Sequence, residues 1–509
     1  MRGKGGRLWA LALAAGALLA FGPAAAAAPA EAGRLVEDAL AAMGGRERVL
    51  AVKSLVMTGI GENPNLLQQM RPDAPLLVWM LPEWREAFDF DHGRFGMRMV
   101  RRPAFPAVFD NFRYDGRLDG EVAFDVGAAL DGPQPPPPPR RASAAEAKAR
   151  RLAMLHHPIS ALRAAAQSGA VLSNPRRREG ETLVDLTTAD GARATLGFDP
   201  RTRLLTSVST LSEHALLGDL PVVTRFSGWE YVQPAGVRLP RRLTETVGDW
   251  PQLDVGVMVN TVDGDVGDLA APEAVKAAAP PQPPSPAALA VSSAEAGPGV
   301  WLLSTANNYG SVLIEFADHL ALMDAPQSEA WAQAIFVKAR QLVPGKPLTQ
   351  LIVSHFHADH AGGVRAAMAE GLTLYVHPDE AAFFRDVAGR RFSLEPDRLA
   401  RAPRPVRIVP VTDGSRMADA RNEVVLYHAR NSTHGETLLM AWFPRGRMLA
   451  QADLWLPGSR QTPHAVAFAE DLAARGLTVE KHLPLHGAQI KSRADFEALV
   501  AALRSGAAR

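Results

Sequence analysis

The chain has 509 residues, a formal net charge of +1, 47% hydrophobic and 21% charged residues, and no cysteine. Such a length exceeds one ordinary core and calls for more than one domain. The near-neutral balance, without a strongly basic block, excludes a nucleic-acid binder that depends on phosphate neutralisation, and the lack of thiols excludes disulfides and thiolate metal ligands.

Residues 1–28 read as an export signal. Arg2, Lys4 and Arg7 precede an apolar run over 8–21, Gly22-Pro23 breaks it, and an alanine tract offers small-residue cleavage sites before Pro29. Its removal takes away those three basic residues and no acid, so the net charge moves from +1 to −2. The expected location is periplasmic or secreted. No later apolar run is long enough to span a bilayer, so no integral span is expected after cleavage.

Leu35, Val36, Ala39, Leu40 and Met43 recur at helical spacing, and Gly44-Gly45 closes that helix. Short β-rich segments follow at 54–59, 182–187, 192–198, 204–211, 222–231 and 238–247, with Asp190-Gly191 and Asp199-Pro200 as turns. One helix is predicted across 142–168, from Ser143 to Gly169. Two proline-rich runs, 133–139 and 280–286, favour extended backbone and cannot sit inside a sheet or helix. The first reads as a loop and the second as a boundary. Residues 29–272 are therefore expected to form an α+β, mostly antiparallel β-rich domain, 273–287 a Pro/Ala-rich linker, and 288–509 a second domain.

In that second domain, strands are predicted at 300–304, 312–316, 319–323, 348–354, 372–376, 424–427, 437–443, 447–450 and 479–484. Helices are predicted at 328–342, 363–370, 379–385, 464–475 and 493–503. Their alternation calls for a layered α/β fold. Histidine is concentrated here: of 14, only His92, His156, His157 and His214 precede residue 300. The apolar run Leu351-Ile352-Val353 leads into His355, His357, Asp359 and His360, and Gly362-Gly363 opens a helix. Ligands set where a buried strand meets a loop are held rigidly yet exposed on one side. Three imidazoles and a carboxylate so close together exceed what one tetrahedral ion readily uses, and make sense divided between two ions.

This H-x-H-x-D-H run resembles the signature of the metallo-β-lactamase superfamily. The later pattern matches too: His434 within Asn-Ser-Thr-His-Gly, Asp453 at a strand end with Gln-Ala before it, His486 within Pro-Leu-His-Gly, and Asp324 ending an early strand. The resemblance implies an αββα metallo-β-lactamase sandwich in the C-terminal domain. It implies a first metal on His355, His357 and His434, a second on Asp359, His360 and His486, and Asp453 bridging them. Asp359 is then also the catalytic residue that orients the attacking hydroxide, and Asp324 orients a histidine ligand. His319, His377, His428, His464 and His482 lie outside the pattern and read as structural or solvent-facing, His464 being near enough in sequence to Asp453 to reach a substrate. More loosely, residues 229–244 resemble the strand–turn–strand of periplasmic lipoprotein-carrier-like half-barrels.

The family chemistry rests on two cations sharing a water, whose pKa falls from ~15.7 towards ~7. The resemblance thus implies an exported hydrolase with two Zn2+ that uses a metal-bridging hydroxide on an ester, lactone, thioester or related bond of a small molecule, one with an apolar moiety included. An aspartate at the position of Asp453 is typical of thioester, lactone and phosphoester hydrolases, and the cysteine used by many β-lactamases is absent from this chain. Iron or a mixed pair suits the same ligands, leaving an iron-dependent redox enzyme of this fold as one alternative. The other is a periplasmic lipid- or envelope-binding carrier whose metal domain is accessory.

Overall fold

The computed structural model describes residues 24–105, 111–127, 129–130, 137–457 and 464–506. The export signal falls mostly in 1–23, and the first proline run begins in 131–136, both outside the described residues. Among the described residues no helix is long and apolar enough to cross a membrane.

The N-terminal part is built on one large antiparallel sheet. From the edge at Arg140–Arg141 it passes through Val122–Asp125, Phe112–Asp119, Arg94–Pro103 and Leu77–Asp89 to Ser54–Asn65. There the long strand Trp250–Val262 pairs with Ser54–Asn65. The sheet continues through Arg242–Val247, Gly218–Ser227, Leu205–His214, Arg193–Phe198 and Glu181–Thr187 to Val171–Arg178. Strand alternation sends Trp84 and Phe88 to one face, where they join a core with Leu40, Met43, Ile159 and Leu162 from the helices. The predicted first helix is present within Ala24–Ala42.

The single helix expected over 142–168 is two, Ala144–Met154 and Pro158–Ala166. Pro158 cannot donate to the turn before it, and the His157 side chain instead caps the second helix through Ile159 N–H. The stretch 222–247 is likewise broken. Glu230–Val232 and Val237–Leu239 form a separate small hairpin, and Pro240 separates it from Arg242–Val247. After the sheet, Glu273–Ala277 is a short helix whose Val275 packs with Phe124 and Ala271. Regular structure resumes at Pro286–Ala288.

The C-terminal part is a four-layer sandwich. A seven-stranded sheet runs in chain order from Val291–Gly297 through Val300–Thr305, Gly310–Glu315, Leu320–Met323, Leu348–Ile352 and Thr373–Val376 to Arg407–Pro410. Its second half is parallel. A six-stranded sheet of Ser415–Ala418, Glu423–His428, Leu439–Phe443, Met448–Gln451, Lys481–Pro484 and Lys491–Ser492 faces it. Val312, Ile314, Met323 and Ile352 meet Met440, Leu449 and Leu483 between the sheets. Their strand neighbours Leu313, Leu322 and Leu351 face the opposite way, against Ile335, Phe336 and Val364 of the outer helices. Burial on both faces explains why these strands read as continuous apolar runs.

The two parts pack against each other. Leu67, Leu216, Leu217 and Leu220 from the first lie in the same buried cluster as Leu351, Phe356 and Ala361 from the second. Asp219 accepts from Ser393 N–H (2.7 Å) and Ser393 Oγ (2.6 Å), and its own N–H donates to the Arg391 carbonyl (2.8 Å). Gly218 has φ of 72°, and a Cβ there would lie 2.1 Å from that carbonyl, so the contact requires glycine. Cutting the chain at a protease site engineered into 280–286 should therefore leave two fragments that co-elute on gel filtration. Fragments that separate under native conditions would contradict this packing.

Candidate metal centre

The strand Leu348–Ile352 delivers His355, Phe356 and His357 to the rim of the sandwich, and Ala358–Ala361 is a single helical turn. Gly362 and Gly363 follow because the chain is tight there. A Cβ on Gly362 would lie 2.3 Å from the Gln327 carbonyl, and one on Gly363 2.5 Å from Ala332 Cβ. His434 comes from the loop before Leu439–Phe443, Asp453 from just beyond Met448–Gln451, and His486 from just beyond Lys481–Pro484. Four chain segments thus meet at one end of the two sheets.

His355, His357, His434 and Asp453 each offer a ligand atom, all within 4.8 Å of one another, and Asp359, His360 and Asp453 form a second such group. Asp453 belongs to both. Its Oδ2 lies 3.0 Å from His360 Nε2, 3.2 Å from His434 Nε2 and 3.5 Å from His355 Nε2. His486 is brought to the same rim but stands outside the second group. Its ring centroid is 6.3 Å from that of His360 and 4.5 Å from that of Tyr309.

The donors fit a divalent cation. His355 Nε2, His360 Nε2 and Asp453 Oδ1 are buried and lack a hydrogen-bond partner among the described residues. Buried polar atoms are rarely left so, and three converging at one place are explained by an ion that takes their lone pairs. The electrostatics agree. Burial, with the neighbouring imidazoles, holds His355 well below its ordinary value, and burial with His434 brings His357 down to about 4. Both are neutral at pH 7, as ligands must be. Burial disfavours charge on His360 and Asp453 too. The carboxylates nonetheless hold His360 well above its ordinary value, and His360 and His434 hold Asp453 well below.

Behind the donors lies a braced layer. Asp324, fully buried, accepts from Ser354 N–H and Ser354 Oγ (both 2.7 Å), and its Oδ2 lies 2.9 Å from His360 Nδ1, which turns Nε2 to the site. Both Asp324 (φ 67°) and Asp453 (φ 60°) hold left-handed backbone, costly for a residue with a side chain and a frequent mark of functional sites.

Sequence reasoning missed several contributors. Gln451 accepts from Leu454 and Trp455 N–H and donates to the Trp455 carbonyl, folding the turn that presents Asp453. Glu380 accepts from Phe356 N–H (3.0 Å) and Thr437 Oγ1 (2.6 Å), tying two ligand-bearing loops together. Tyr309 sits edge-on to His360 and His486, and burial beside Asp359 and Asp453 keeps its hydroxyl protonated. None of these carries a local motif. His464, whose ring lies 5.2 Å from that of His434, is buried and bonded to Thr433 Oγ1. His377 and His482 are buried, the first against His428 and the second against Trp455 and Phe496.

Residues 311–487 match the family model described as the metallo-beta-lactamase superfamily. This part of the chain is a metallo-β-lactamase-fold domain. The family binds metal ions, usually zinc, and its fold suggests a hydrolase. The protein is also similar to a metallo-beta-lactamase from Pontibacter korlensis, at 11% identity over 42% of this chain and 99% of that one, with a TM-score of 0.34. The metallo-beta-lactamase FIM-1 from Pseudomonas aeruginosa, in its mono-zinc form, shows 18% identity over 43% and 96%, with a TM-score of 0.33. DIM-1 metallo-beta-lactamase shows 13% over 43% and 99%, with a TM-score of 0.34. A comparison with curated protein sequences finds no match.

In a metallo-β-lactamase-fold domain braced this way, Asp324→Ala should weaken zinc binding by about 10- to 100-fold, because His360 loses the acceptor that orients it. Competition titration against a chromophoric chelator measures this. Unchanged affinity in a folded variant would remove Asp324 from the account.

Proposed function

We propose that the protein is an exported, metal-dependent hydrolase acting on an ester, lactone, thioester or related bond of a small molecule, with a pair of zinc ions as its cofactor. The observation that carries this reading is Asp453 shared between two donor groups, with His355 Nε2 and His360 Nε2 buried and without a hydrogen-bond partner among the described residues. Bound divalent cations supply Lewis acidity and lower the pKa of water enough for it to attack at neutral pH.

The chain's own groups do the rest. His355, His357 and His434 would hold one ion, and Asp359 and His360 the other, with His486 at its rim and Asp453 between the two. Asp359 is the more exposed of the two carboxylates, with 27% of its side chain open to solvent against 4% for Asp453. It would orient the attacking water and accept its proton. The Tyr309 hydroxyl, kept protonated beside Asp359, can donate to the oxygen on which charge develops. A carboxylate at position 453 and a chain without cysteine support a substrate outside the β-lactams.

Asp359→Asn should lower kcat by about 10²- to 10⁴-fold, the usual range for loss of a positioned proton acceptor. Wild-type turnover in that variant at normal metal content would contradict the role. Chelation should abolish hydrolysis, and added zinc should restore it. The deciding screen pairs metal analysis with ester, lactone, thioester, phosphodiester and cephalosporin substrates. Turnover of the cephalosporin alone would overturn the substrate class, iron on purification would favour the redox alternative, and a protein that binds metal and lipid but hydrolyses nothing would favour the carrier.

A further inference from the structure

The turn that joins strands Ser54–Asn65 and Leu77–Asp89 leaves the N-terminal sheet and reaches the metal centre of the other domain. We propose that this turn is a built-in part of that centre, with Gln69 and Gln68 as positioning residues for His357 and Asp359. The inference rests on the metal-centre reading above and adds that the metallo-β-lactamase-fold domain does not complete its own site.

His357 Nε2 lies 2.9 Å from the Gln69 carbonyl oxygen. A carbonyl only accepts, so Nε2 carries the proton. In a neutral imidazole the lone pair then falls on Nδ1. Nδ1 is the nitrogen that faces the site, 3.1 Å from His434 Nε2. The Gln69 carbonyl therefore selects the tautomer of His357 that can bind an ion, and fixes its ring angle. Such partners commonly raise a ligand's basicity and set its orientation.

Gln68 acts on the other group. Its Nε2 donates to Asp359 Oδ1 at 3.3 Å, while Asp359 Oδ2 lies 3.6 Å from His360 Nε2. One carboxylate oxygen is thus held by the N-terminal domain, and the other is turned to the donors.

The turn is clamped, which separates it from a surface loop that happens to touch the site. Leu67 is buried in the core cluster that contains Phe356 and Ala361, and does so with left-handed backbone, φ 58°. Gln69 is 2% exposed, and its side chain staples its own loop, accepting from Gln68 N–H and donating to the Pro72 carbonyl. The Met70 carbonyl accepts from Glu436 N–H (2.7 Å), and Arg71 Nη1 pairs with Glu436 Oε2 (3.0 Å), two residues beyond His434. One turn thereby touches the segments that carry His357, Asp359 and His434.

The test uses the full chain and two variants, Gln68→Ala and one in which residues 66–76 are replaced by a short Gly/Ser turn. Zinc affinity is read by competition titration, and the visible spectrum of the cobalt-substituted proteins reports each ion's surroundings. The shortened turn should weaken the ion on His355, His357 and His434 by about 10- to 100-fold. Gln68→Ala should weaken only the ion on Asp359 and His360, and should shift only its cobalt bands. Wild-type affinity and spectrum in either folded variant would overturn the inference and leave the metal-centre reading intact. If the shortened variant does not fold, Gln68→Ala decides alone. An unmodified protein that binds no zinc or cobalt would overturn both readings together.

Discussion

A buried carboxylate with three imidazole nitrogens within 3.5 Å, two of them buried with it, is the constraint around which the C-terminal domain is arranged. Removing charges and lone pairs from water is costly unless each finds a partner. Here the donors are packed together and left with atoms unsatisfied. The cost is carried by the surroundings: Asp324 and Ser354 behind His360, Glu380 across two loops, and the Gln451 turn under Asp453. Two left-handed aspartates show how firmly that frame holds its residues. Such a frame would orient the donors for a metal ion.

The first ligand segment was legible because its information is local. His355, His357, Asp359 and His360 lie on one short turn, and the apolar strand before it and the two glycines after it announce where that turn sits. Asp453, His434 and His486 could be placed only through the order of the family pattern, and His486 proves the least tightly gathered. The sandwich itself was readable from its apolar strands, which are buried on both faces. The N-terminal sheet was less so. In strands such as Leu77–Asp89 a charged residue, Glu86, stands between Trp84 and Phe88 on the same face, and the pairing shifts register between Met80 and Glu83, which hides the alternation. Pro158 marked the helix break that periodicity over 142–168 concealed.

Other parts of the site were not legible in principle. Gln69 contributes a backbone carbonyl, which every residue possesses. Gln68, Tyr309 and Glu380 matter only through tertiary approach. The sequence over 66–71, Leu-Leu-Gln-Gln-Met-Arg, carries no motif, and its role appears only when the two domains are seen packed. Their shared leucine cluster makes the N-terminal domain more than a passenger.

The central claim is tested most directly by a crystal structure of the full chain grown with zinc, with anomalous scattering measured at the zinc edge. The account predicts two peaks a few ångströms apart, one among His355, His357 and His434, the other beside Asp359 and His360, with the Asp453 carboxylate between them. No peak there, or zinc bound only elsewhere on the chain, would contradict it.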